Sequence, residues 1–375
     1  MKKVYLDNAS TTPIRDEVIE VMTDVLKNNF GNPSSTYATG RNAKAVIETS
    51  RKQIAKYLNA NSQEIIFTSS ATESNNWILQ NAVVHLNVKR IITSKIEHHA
   101  VLNTVLELEK NHEIEVVFVD LLSNGNIDLN HLEQILKEEK STLVSLMYVN
   151  NEIGNILDIE RVANLCKEYK ALFHSDTVQA MGKLSIDLQK TPIDFLIGTA
   201  HKFHGPKGIG FVYARKGIAL KPLFYGGSQE KGIRAGTEPT HQIIGMAKAL
   251  ELSYQYLESE KEHIISLKNY LIEQLNQNFP GYKINGDSEN GIYNMVNIQL
   301  PFSESLTPTL LFNLDMKGIA VSRGSACQSG SLIPSHVLEE ILPESEINKP
   351  SLRISFSHQN TKQDIDELVT ALKSL

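Results

Sequence analysis

Cysteine is almost missing. Two in 375 residues cannot make a disulfide framework, and they fit a reducing, cytoplasmic setting. No stretch approaches the ~18 consecutive apolar residues of a membrane-spanning helix, so no membrane association is expected. The opening MKKVYLDNASTTP reaches Asp7 before an apolar segment can form and does not read as a secretory signal. Long runs of like charge are also lacking, and the formal net charge is −6. That balance argues against direct DNA binding or an anionic-lipid surface. There is no internal repeat and no low-complexity segment.

What is present is ordinary globular material, 41% apolar, in a chain longer than the ~250–300 residues at which single cores stop growing. More than one domain is therefore expected. From residue 60 to 214 strand-like and helix-like segments alternate. RIITSKI, IEVVFVD, TLVSLMYV, ALFHSD, DFLIGTA and GIGFVYA read as strands, and WILQNAVVHL, HAVLNTVLEL, LNHLEQILKE and IERVANLCKEY as helices. Short β-branched runs between amphipathic helices predict an α/β fold with a mostly parallel sheet covered on both faces. Ligands of such sheets sit outside the carboxyl ends of the strands. Residues 240–278 read as one long or two abutting helices, a bridge to a compact α+β set formed by MVNIQL, IAVSR, SLRISFS and the last helix.

The two cysteines differ in company. Cys166 falls on a helical stripe with Ile159, Val162, Ala163 and Tyr169, the pattern of a small core residue. Cys327 lies in SRGSACQSGS, where serines and glycines cannot build a core around a thiol. Either it occupies a loop by accident, or its sulfur has something to reach.

The stretch DFLIGTAHKFHGPKGIGFVYA places Lys202 just past the end of a buried strand, and LFHSDTVQ places Asp176 at the end of another. Taken singly, Lys202 is an ordinary turn lysine and Asp176 a cap or a buried charge in need of a cation. Together they match the needs of pyridoxal phosphate. That cofactor binds a lysine as a Schiff base and requires a carboxylate to keep the proton on its pyridine nitrogen. Gln179, three residues beyond the aspartate, is placed to reach the ring hydroxyl. In TSSATESNNWIL a Ser/Thr cluster precedes a helix, so the N–H groups of Ala71 and Thr72 can face a phosphate. Thr199 and His201 beside the lysine are placed to complete that cradle. An ordinary capping cluster would look the same.

LDNASTTP, FGNPSS, SSATESNN, EHHAV, VNNEIG, HSDTVQ, AHKFHGPKGIG, RAGTEP and SRGSACQSGS occur in this order. From residue 4 to residue 373 the chain resembles the cysteine desulfurases of the NifS/IscS type, within the class-V aminotransferases and the fold-type-I pyridoxal-phosphate enzymes. The resemblance implies a large cofactor domain, residues 14–255, with a mostly parallel seven-stranded sheet between helices. A small α+β domain, residues 1–13 and 256–375, would carry the loop around Cys327. Lys202 would form the Schiff base, Asp176 pair with the pyridine nitrogen, and Gln179 with the ring oxygen. His98, rather than its neighbour His99, would stack on the ring and assist proton transfer. Ala71, Thr72, Thr199 and His201 would hold the phosphate, joined by Thr237 from the neighbouring subunit of a homodimer. Asn151 and Arg353 would bind the carboxylate of L-cysteine, arginine being suited to it by its planar fork. Cys327 would be the nucleophile, taking sulfur from L-cysteine as a persulfide, releasing alanine, and passing the sulfur to an acceptor protein for iron–sulfur, thio-cofactor or tRNA synthesis. No metal is implied.

Three features depart from the family's pattern. Arginine stands at 323, where a small residue is common; it is either placed to lower the pKa of the nearby thiol or is a solvated loop charge. After Arg353, ISFSHQN lacks the second arginine often found there. The sequence ends after a helix at Leu375, without the longer tail some members use to dock an iron–sulfur scaffold. The competing expectations are selenocysteine lysis or another pyridoxal-phosphate reaction on the same fold, and a non-catalytic subunit. A transaminase would not need Cys327, and a non-catalytic subunit would not need Lys202 and Asp176.

Overall fold

The β-branched runs of the first 220 residues build one central sheet, and the amphipathic segments between them cover it. The computed structural model describes residues 3–324 and 334–375. Its strands are β1 (Val4–Tyr5), β2 (Ile65–Thr68), β3 (Arg90–Thr93), β4 (Glu115–Phe118), β5 (Thr142–Ser145), β6 (Leu172–Asp176), β7 (Phe195–Thr199), β8 (Gly210–Ala214), β9 (Lys283–Asn285), β10 (Met295–Gln299), β11 (Ile319–Ala320) and β12 (Ser351–Ser355). Its helices are α1 (Asp16–Asn28), α2 (Ala38–Tyr57), α3 (Ala71–Val84), α4 (His99–Asn111), α5 (Leu129–Leu136), α6 (Ile159–Glu168), α7 (Thr240–Gln255), α8 (Leu257–Asn278), α9 (Leu310–Met316), α10 (His336–Ile341) and α11 (Lys362–Lys373).

The seven-stranded sheet runs in the order β2-β8-β7-β6-β5-β3-β4. Only β8 runs against its neighbours; β7, β6, β5, β3 and β4 are parallel. Strands β5, β6, β7 and β8 are buried on both faces, as a sheet sandwiched by helices requires. The carboxyl ends of the parallel strands open on one edge. Strand β2 is read from the structure, not from the alternation. IIFT is only four residues long, too short for a period to show.

Helix α6 confirms the stripe read from its sequence. Ile159, Val162, Ala163 and Cys166 are buried, and Asp158 caps the start by accepting from the Arg161 N–H at 3.1 Å. Burial pushes the Cys166 thiol pKa up, so it is a core residue and a poor nucleophile. The bridge at 240–278 is two abutting helices, parted at Tyr256. Beyond it, β10 pairs antiparallel with β12 and β9, and β1 pairs parallel with β11. These strands share a core of Leu6, Leu267, Leu271, Ile298, Ile354 and Leu368 with α8 and α11. The N-terminal strand therefore belongs to the core of the C-terminal segment. Among the described residues no helix is long and apolar enough to cross a membrane.

Candidate active site

The strand ends deliver the site. Strand β6 ends at Asp176, which is 6% exposed. Strand β7 ends at Thr199, and a single 3-10 turn, Ala200–Lys202, swings the lysine out beyond it. Strand β2 leads through Ser70 into α3; Ser70 caps the helix by accepting from the Glu73 N–H at 3.2 Å. Ala71 and Thr72 are the first two residues of that helix, so their N–H groups have no helical carbonyl to bond. Strand β3 was expected to run to Ile96 but ends at Thr93, where its pairing with β4 ends. The residues that follow turn back and place His98 at the start of α4.

These pieces enclose one cavity of about 290 Å³. Lys202, His98, Ala71, Thr72, Asp176, Gln179, Thr199, His201, Asn151 and Arg353 all line it, with Ala9 and Ser10 from the N-terminal segment. The Lys202 Nζ donates to the carbonyls of Ala9 at 2.7 Å and Ser10 at 2.8 Å. Gln179 Nε2 donates to the same Ala9 carbonyl at 2.9 Å. Asp176 accepts from the Val178 N–H at 3.0 Å and from Asn75 Nδ2 at 2.7 Å. The Nδ1 of His98 accepts from the Ala100 N–H at 3.1 Å, which leaves Nε2 to carry the ring's proton when neutral.

Burial dominates the electrostatics. It holds His98 below the usual histidine range, with Asp176 opposing and Lys202 reinforcing the shift. His201 is pushed down to about 3 by burial and then by Lys202, Lys207 and Lys183. Lys183 donates to the carbonyls of Gln179 at 3.2 Å and Lys202 at 3.1 Å, and burial followed by the Lys202 charge pushes its amine down to about 7. An anion at this end of the cavity would oppose the shifts on His201 and Lys183, because it favours their charged forms.

The donor set fits pyridoxal phosphate. An amine lies at one strand end, a buried carboxylate at the next, and a helix start with His201 and Thr199 offers N–H and side-chain donors to a phosphate. Two groups also have an unmet need. Asn151 Oδ1 and Arg353 Nε are buried without a hydrogen-bond partner, and both residues line the cavity. Buried polar atoms of this kind are satisfied by a ligand or by water.

Several residues in and around the site had no signal in the sequence. Ala9 and Ser10 act through backbone carbonyls, which leave no mark on residue type. Asn75 reads as an ordinary polar helix position. Glu97 is wholly buried, accepts from the Met147 N–H at 2.9 Å and Ser94 Oγ at 3.2 Å, and is pushed up to about 8 by burial. Thr237 does not line this cavity and is exposed. Cys327 lies outside the described residues. Arg323 is described and half-buried; burial lowers its pKa. Among the described residues no group of three or more His, Cys, Asp or Glu side chains is arranged to hold a metal.

Comparison with known proteins bears on this geometry. The aminotransferase class-V family profile matches residues 4–368. The chain is 41% identical over 376 residues to the cysteine desulfurase IscS of Dictyoglomus turgidum, covering 100% of this chain and 94% of that protein. A solved NifS-like protein superposes with a TM-score of 0.91 at 35% identity, covering 100% of this chain and 99% of the other. A structure described as SspA in complex with cysteine superposes with a TM-score of 0.83 at 31% identity, covering 96% and 100%.

Proposed function

The chain belongs to the class-V aminotransferase family and is a cysteine desulfurase, and we propose that it works through Lys202, Asp176 and Cys327 with pyridoxal phosphate. The observation that carries this reading is the convergence of ten residues, named from the sequence and its family resemblance, on a single cavity at the carboxyl edge of the sheet.

When bound, pyridoxal phosphate supplies an electron sink for negative charge at the substrate Cα. Ala71, Thr72, Thr199 and His201 would hold its phosphate, Asp176 its ring nitrogen and Gln179 its ring oxygen. Lys202 Nζ would anchor it covalently and, once free, take the proton from the substrate Cα. His98 would lie against the ring and exchange protons through Nε2, since its Nδ1 is engaged in capping α4. Arg353 would orient the substrate carboxylate through its guanidinium, and Asn151 would donate its side-chain amide N–H to it.

Cys166 is sealed in the core, and by the resemblance to the family Cys327 would be the nucleophile. Its thiolate bonds to the substrate sulfur as the substrate Cβ–S bond breaks. The hydrogen of the substrate thiol is balanced by the third hydrogen on the methyl group of alanine, and Cys327 retains the sulfur as a persulfide. An acceptor protein would then take that sulfur, in a cytoplasmic setting. Thr237, exposed and away from its own cavity, would complete the phosphate site of a second copy in a homodimer.

The test measures alanine and sulfide released from L-cysteine with a thiol reductant, for wild type and Cys327→Ala, following the visible cofactor band in both. Equal release by the wild type, with an inactive variant that keeps its band, supports the reading. A variant that turns over like the wild type overturns the role of Cys327.

A further inference from the structure

We propose that Asn75, His174 and Ser145 are positioning residues, forming an uncharged hydrogen-bond chain that orients Asp176 and leaves its negative charge free for the cofactor's ring nitrogen. The inference rests on the pairing of Asp176 with that nitrogen proposed above.

The chain is continuous and enclosed. Asn75 Nδ2 donates to Asp176 Oδ2 at 2.7 Å, Asn75 Oδ1 lies 3.1 Å from His174 Nε2, and His174 Nδ1 lies 2.8 Å from Ser145 Oγ. Asn75, His174 and Ser145 have no exposed surface. The sheet register sets the far end, because Ser145 on β5 stands directly opposite His174 on β6. His174 and Asp176, two residues apart on one strand, point to the same face, and α3 brings Asn75 to that face.

The direction of every bond follows from chemistry. A carboxylate only accepts, so Asn75 must turn its NH2 toward Asp176 and its carbonyl toward His174. His174 must then carry its proton on Nε2, and Nδ1 accepts from the Ser145 hydroxyl. Each member is satisfied as a neutral group.

The charged group facing His174 is Asp176; Asp176 in turn acts on Glu97 in the turn after β3 and on His98 at the start of α4, and Lys202 lines the same cavity. Burial pushes His174 down to about 4, although Asp176 opposes the shift, and pushes Glu97 up to about 8. Both shifts favour the uncharged forms, and Asn75, a neutral donor, leaves the carboxylate's charge for a partner in the cavity. An imidazolium at His174 would compete with a protonated ring nitrogen for that charge. The same asparagine sits one turn into the helix whose first N–H groups line the phosphate end. One side chain thus ties the ring end of the site to the phosphate end.

The test uses protein loaded with pyridoxal phosphate and the pH midpoint of its visible band, together with retention of the cofactor on dialysis. Asn75→Leu and His174→Phe are expected to move the midpoint by about one pH unit, the size of one charge-assisted hydrogen bond, and to weaken retention about tenfold. His174→Gln keeps a donor near the Nε2 position and should restore a midpoint close to that of the wild type. In wild-type apoprotein carrying 15N-histidine, His174 should show the Nε2–H tautomer and no titration between pH 6 and 8. If Asp176→Asn leaves the midpoint unmoved, the pairing of Asp176 with the ring nitrogen fails. If Asp176→Asn moves it while Asn75→Leu and His174→Phe do not, the chain is merely structural and the inference is overturned. A His174 that carries its proton on Nδ1, or titrates above pH 6, overturns it even where the variants fail to fold.

Discussion

Arg353 and Asp7, 346 residues apart in the chain, form an ion pair of 2.8 Å in which the arginine is 1% exposed. The same guanidinium donates to Ser10 Oγ at 2.6 Å and to the Asn151 carbonyl at 2.7 Å. It therefore joins the N-terminal segment, strand β12 and the cavity wall. Ser10 also supplies one of the carbonyls that hold Lys202.

Arg353→Ala should act twice. It leaves Asp7 without its cation, a loss of roughly 2–4 kcal/mol for a largely buried pair, and it raises KM for L-cysteine. Arg353→Lys keeps the charge but loses the fork, so it should recover part of the stability while KM stays raised about tenfold. Urea unfolding and steady-state kinetics separate the two effects. An unchanged KM in both variants would make the arginine purely structural.

Glu97 predicts a stability that falls toward alkaline pH. Its folded pKa of about 8 lies above the ordinary carboxyl value near 4.5. The contribution is therefore intact below about 4.5 and is lost as pH rises toward 8. Glu97→Gln removes the titration, so its stability relative to wild type should improve from pH 5 to pH 9, on the order of a few kcal/mol. Melting temperatures of the ligand-free proteins across that range are the check; a difference that does not change with pH contradicts the assignment.

The histidines predict the opposite slope at acid pH. Burial pushes His174 and His358 down to about 4 and His201 and His204 down to about 3, from an ordinary value of 6.5. The unfolded chain takes up protons that the folded chain refuses, so stability present above pH 6.5 is lost as pH falls toward 3–4. By pH 5 the enclosed His174 and His204 should cost on the order of 1–2 kcal/mol each, and the more exposed His201 and His358 less. Measured against His201→Asn, in which Glu97 and Lys183 contribute equally, the urea midpoint of the ligand-free wild type should fall only between pH 6.5 and pH 5 and not between pH 8 and pH 6.5. Added pyridoxal phosphate should protect against that drop by supplying His201 with an anion.

Gly210 allows β8 to pass beside the start of α3. A Cβ there would stand 2.7 Å from the Gly198 carbonyl oxygen and 3.1 Å from the Ser70 carbonyl carbon. Gly210→Ala must displace the Gly198 carbonyl on β7, and it crowds the Ser70 backbone whose cap sets Ala71 and Thr72. About 1–3 kcal/mol of stability should be lost to overpacking, and retention of pyridoxal phosphate on dialysis should fall several-fold. Wild-type retention would show that the helix start tolerates the shift.

Residue type and local pattern marked out the side chains proposed for this protein's chemistry. Lys202 after an apolar strand, Asp176 ending another, a hydroxyl cluster before a helix, and one cysteine among serines and glycines are all local features, readable because strand ends and helix starts obey short-range rules. Cys166 was legible as core for the same reason. Only tertiary structure decided how those groups are held. Asn75 meets Asp176 across 101 positions and Lys202 meets the Ala9 carbonyl across 193. Such contacts depend on sheet register and helix docking, which no short window encodes. The protonation states follow the same division. Residue type sets a histidine near 6.5 and a carboxyl near 4.5, whereas burial, a property of the whole fold, pushes His174 down to about 4 and Glu97 up to about 8.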